Sequence, residues 1–62
     1  MPKLVLAIPE DVQAGLKLPP ADALRELREE LAVALYRRQA LSLGKARRLA
    51  ELSHWEFAQL LG

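Results

Sequence analysis

The chain has 62 residues, 52% of them hydrophobic, with nine basic and eight acidic side chains for a net charge of +1, one histidine and no cysteine. A chain this short makes one domain at most, residues 1–62, and buries only roughly 60% of its unfolded surface, so a lone copy is marginal. Without cysteine it has neither a disulfide nor a thiolate metal site, one histidine cannot hold a metal alone, and no apolar run approaches the ~20 residues of a membrane span.

Association of copies is therefore the expected stabiliser, with a homo-oligomer (a dimer or higher) as the first expected partner. The N-terminus lacks a basic stretch followed by an apolar core and a small-residue cleavage site, so a cytoplasmic location is expected.

Residues 3–8, KLVLAI, alternate Leu4, Leu6 and Ile8 on one side with Lys3, Val5 and Ala7 on the other, the period of a β-strand. No second strand is in view. The expectation is a dimerisation segment over 1–9, paired with the same strand of a second copy through Leu4, Leu6 and Ile8. Pro9 ends the strand and suits the first turn of a short helix, PEDVQAGL, with Glu10 and Asp11 well placed near its N-terminus.

A stiff connector, residues 17–20, leads to a long helix over about 20–39. Leu24, Leu27, Leu31 and Leu35, widened by Ala34, form its predicted inward stripe, and Arg25 and Glu29 can pair one turn apart. Val33 and Tyr36 lie off that stripe and are assigned to an oligomer interface.

Residues 41–62 form a helix-turn-helix-like unit, with helices predicted at about 42–51 and 54–61. Ser42 and Ser53 are N-cap residues, and Ser53 with Glu56 has the spacing of a capping box. Leu52 and Phe57 sit at the positions of a hydrophobic staple. The fold class is thus mainly α: one N-terminal strand, a long helix and a C-terminal helix pair.

Charge is segregated. Residues 1–30 carry net −2, residues 31–50 carry five basic residues and no acid, and residues 51–62 carry net −2. The basic block, Arg37, Arg38, Lys45, Arg47 and Arg48, suggests a phosphate-bearing or acidic partner. The alternative is a solvated face, with Arg37 and Arg38 set favourably at a helix C-terminus.

Catalysis finds little footing, and the protein is expected not to be an enzyme. His54 and Ser53 are sequence neighbours, and such residues do not face each other on a helix. SLGKA lacks the spaced glycines of a phosphate loop. No cofactor or metal is expected.

As a helix-turn-helix, the unit would turn Ser53, His54, Trp55, Ala58 and Gln59 outward. Lys45, Arg47 and Arg48 would touch phosphates. The expected nucleic-acid-binding set is Lys45, Arg47, Arg48, Ser53, His54 and Gln59. Trp55 is assigned as an anchor for a protein partner.

These segments in this order resemble a small prokaryotic uncharacterised protein family whose members look like antitoxins. REELAVALYR at residues 28–37 and the pattern LSLGKA…LSxWEF within residues 41–57 carry the resemblance most specifically. Some members are encoded beside PIN-domain ribonuclease toxins. The resemblance implies antitoxin-like or transcription-factor-like behaviour, with DNA and a PIN-domain toxin as candidate partners. The chain departs from the pattern at Arg47 and Arg48, where the family tends to be less basic, and at Glu51, where it tends to have glycine. The family also commonly continues past the position of Gly62 with a short tail.

Two functions stand side by side. The first is an antitoxin-like DNA-binding transcriptional regulator acting as a homodimer. The second is a protein-interaction or oligomerisation module that binds a toxin and no nucleic acid.

Overall fold

A computed structural model describes residues 3–62. It has four helices: α1 (Glu10–Gly15), α2 (Ala23–Arg37), α3 (Leu43–Ala50) and α4 (His54–Leu61).

There is no strand among the described residues, and this corrects the expected fold class. Residues 3–8 are non-helical and lie open to solvent, with Leu4 101% and Leu6 76% exposed and Ile8 at 36%. The physical reason is that alternation is only half of a strand. A ladder also needs a partner for its amides and carbonyls, and none is present among the described residues. The pairing expected of Leu4, Leu6 and Ile8 with a second copy had that strand as its basis. Residues 1 and 2 of the expected segment 1–9 lie outside the described residues.

α1 starts behind Pro9, whose carbonyl accepts from the Gln13 amide at 2.9 Å, and carries Glu10 and Asp11 in its first turn. The start of α2 lies at Ala23 because a turn precedes it, closed by the Asp22 amide donating to the Pro19 carbonyl at 3.0 Å. Arg25 then bridges Asp22 at 3.5 Å and Glu29 at 3.0 Å.

The C-terminus of α2 is closed by backbone alone. The Gln39 amide donates to the Tyr36 carbonyl at 3.0 Å, and the Ala40 amide to that of Leu35 at 2.9 Å. This is the Schellman arrangement, and it places Gln39 in the left-handed region at φ 62°.

The core is small: Ala32 from α2, Ala46 and Ala50 from α3, and Phe57 from α4 are buried. Val33, Tyr36, Leu41, Leu49, Leu52 and Leu61 pack around them. Alanines let α2 and α3 approach closely, and Phe57 fills the space left, meeting Tyr36 edge-on at 6.0 Å.

The inward face of α2 is therefore not its leucine stripe. Leu24 is 71% and Leu31 43% exposed, Ala34 is exposed, and Leu27 and Leu35 are half-buried. Val33 and Tyr36, assigned by sequence to an oligomer interface, are half-buried and pack against the core. Burial follows the partner surface: small Ala32 fits against Ala46 and Ala50, where a leucine would force the helices apart. No helix of the described residues is long and apolar enough to cross a membrane.

Candidate nucleic-acid interface

The candidate site is α3, the turn after it, and α4. α3 begins at Ser42, an extended residue whose Oγ accepts from the Lys45 amide at 3.3 Å. Ala46 and Ala50 face inward, and this turns Lys45 and Arg48, three residues apart, to solvent.

The turn repeats the closure of α2. Glu51 takes the left-handed conformation, φ 59° and ψ 41°. Its amide donates to the Arg48 carbonyl at 3.1 Å, and the Leu52 amide to that of Arg47 at 2.9 Å. Arg47 folds back over this turn. Its Nη1 donates to the Leu52 carbonyl at 3.4 Å, and its Nε is buried without a partner among the described residues.

α4 starts on a complete capping box. Ser53 Oγ accepts from the Glu56 amide at 3.1 Å, and Glu56 Oε1 accepts from the Ser53 amide at 2.9 Å. The bond from the Ser53 amide, with a lesser share from the Ser53 side chain, holds the Glu56 carboxyl below the usual glutamate range. Phe57 and Leu61 anchor the inner face of α4, and His54, Trp55, Ala58 and Gln59 remain exposed.

Two arginines of α2 reach the C-terminal ends of α3 and α4. Arg28 Nη1 donates to the Leu49 carbonyl at 3.2 Å and lies 3.5 Å from the Glu51 carboxylate. Arg37 Nη2 donates to the Leu61 carbonyl at 3.3 Å. Both satisfy carbonyls that a helix C-terminus leaves unpaired. Nothing local in the sequence marks these roles, because each bond spans more than twenty residues.

Of the expected nucleic-acid set, Lys45, Arg48, His54 and Gln59 are solvent-facing. Ser53 is exposed, but its hydroxyl is engaged in the cap. Arg47 is drawn into the turn. Trp55 is 71% exposed. No group of three or more metal-ligating side chains occurs among the described residues.

The family model described as "Uncharacterised protein family (UPF0175)" matches residues 1–62. A protein of Aeropyrum pernix named "UPF0175 protein" is 44% identical over 59 residues, which cover 95% of this chain and 62% of that protein. The chain thus spans under two thirds of the length of this curated relative. No solved structure matches.

Proposed function

The chain belongs to the uncharacterised protein family UPF0175, and from that premise we propose that it is an antitoxin-like, DNA-binding transcriptional regulator that acts as a homodimer. The observation that carries this reading is the outward side of the helix pair. Among the described residues Lys45 and Arg48 are exposed on α3 with side chains unpaired, and a capped α4 presents His54, Trp55, Ala58 and Gln59 beyond the turn. Two exposed cations suit phosphate contacts, which position a protein on a duplex. His54 and Gln59 supply donors and acceptors for base edges. Arg47 contributes by holding the turn, and Ser53 by starting the helix.

The antitoxin part rests on the resemblance of LSLGKA…LSxWEF, with a PIN-domain toxin as the proposed protein partner. The exposure of Trp55 favours a second reading, a toxin-binding module without nucleic acid.

The deciding experiment is fluorescence anisotropy with the DNA upstream of the protein's own gene, across a salt series, with unrelated DNA as control. The regulator binds its own DNA more tightly. Lys45→Glu with Arg48→Glu weakens binding and flattens the salt slope by roughly 0.9 for each phosphate no longer neutralised. Because Arg47 is untouched, the turn stays intact. No binding at low salt refutes the regulator and leaves the protein-interaction module.

A further inference from the structure

We infer that the leucine face of α2 is the surface on which two copies of this chain pair, α2 against α2 and antiparallel. The inference rests on the homodimer proposed above and names its surface.

On a helical projection at about 100° per residue, the row Leu27, Leu31 and Ala34 is centred roughly half a turn from the centre of Ala32, Val33 and Tyr36, and Leu24 lies at the margin of that row. Leu27, Leu31 and Ala34 therefore stand on the side of α2 turned away from α3 and α4, while Leu24 borders the end of α3 beside Ala50 and Leu52. Leu24 and Leu31 are seven residues apart, as are Leu27 and Ala34, which is the spacing of a helix–helix seam. Arg38 continues the first of these two rows and is exposed. Leu24 and Leu31 are 71% and 43% exposed, on a chain with four buried hydrophobic residues among those described.

Charge identifies the occupant and its direction. Residues 22–30 carry Asp22, Glu26, Glu29 and Glu30 against Arg25 and Arg28, net −2, while residues 31–38 carry Arg37 and Arg38, net +2. On the same projection Asp22, Glu26 and Glu29 point away from the leucine row, so the charges that border it are Glu30 and Arg37 on one edge and Arg28 on the other. Glu30 and Arg37 share the edge of the seam nearer α4, where one Arg37 nitrogen donates to the Leu61 carbonyl and leaves the rest of the guanidinium to a second partner. In antiparallel pairs like edges meet, so Glu30 comes opposite the partner's Arg37, twice by symmetry. A parallel copy would instead stack Arg38 on the partner's Arg38 within the seam, like charge on like.

Sedimentation equilibrium on the full chain tests the surface. The wild type sediments as a dimer, and Leu31→Asp and Leu24→Glu, both at exposed positions, sediment as monomers with unchanged helical circular dichroism. A dimer that survives both substitutions overturns this surface and leaves the homodimer standing. A wild type that stays monomeric at every concentration overturns both and leaves the face to a heterologous partner.

Direction is read with Leu24→Cys, since the chain has no other cysteine. Antiparallel pairing about the centre of the seam keeps the two positions roughly 25 Å apart, at 1.5 Å of rise per residue. That is far beyond disulfide reach. A dimer that does not cross-link under mild oxidation is expected, and rapid cross-linking overturns the antiparallel arrangement.

Discussion

Replacing Gln39 by glycine should make the protein more stable, although it deletes a side chain. Gln39 closes α2 at φ 62°, where an L-residue places its Cβ against its own backbone. That conformation costs roughly 1–2 kcal/mol relative to the right-handed region. Glycine avoids the clash but gives the unfolded chain more freedom, which offsets roughly 0.5–1 kcal/mol. Gln39 is exposed and makes no side-chain hydrogen bond among the described residues, so nothing else is lost. The net gain is about 0.5–1 kcal/mol, or roughly 2–8 °C in Tm for a domain of this size. Thermal unfolding at one fixed protein concentration measures it, with Gln39→Ala as control. Alanine removes the same polar group but keeps the Cβ, so it should bring no gain. If alanine and glycine shift Tm equally, or glycine lowers it, the argument from backbone strain fails. Glu51→Gly, at φ 59°, should gain less, because it also removes the carboxylate beside Arg28.

Ser53→Ala should cost about 1 kcal/mol in chemical denaturation, and Ser42→Ala less, since Ser42 accepts one longer bond and has no reciprocal partner. The Glu56 carboxyl titrates lower in the folded chain than in the unfolded one. Its contribution is therefore whole above the ordinary value of 4.5 and is lost as pH falls through the lower folded value. Glu56→Gln should flatten that acid limb in a series of denaturation curves. Phe57→Ala, at the only fully buried large side chain among the described residues, should cost about 3–5 kcal/mol, and loss of cooperative unfolding by circular dichroism is the expected result. Leu6→Asp, at a side chain 76% exposed, should leave both helicity and assembly unchanged.

The parts of this fold written in local chemistry were readable in advance. Ser42 and Ser53 start helices where their hydroxyls can reach an amide three residues on, and this spacing is visible in sequence alone. The Arg25–Glu29 pair belongs to the same class. The parts decided by a distant surface were not readable. Residues 3–8 alternate like a strand, but whether a strand forms depends on a ladder partner. The leucines of α2 look like a core stripe until Ala32 meets Ala46 and Ala50, and the closer fit of small side chains decides which face turns in. In the candidate site, Lys45 and Arg48 stay outward because α3 buries its alanines. Arg47, chemically identical to Arg48 and next to it in sequence, is drawn into a turn whose left-handed residue is a glutamate where glycine would signal it.

The bonds from Arg28 and Arg37 make α2 a ruler. Their Cα atoms are about 13.5 Å apart on one rigid helix, at 1.5 Å per residue. One holds the terminal carbonyl region of α3 and the other that of α4. The separation of those two ends is thus written into a third helix, outside the pair itself. The pair is consequently not a portable cassette. Cut out as residues 41–62, or grafted onto another scaffold, it would keep its turn and its caps but lose the gauge that sets how far its helices splay. An engineer moving it elsewhere would have to supply two cations nine helical residues apart.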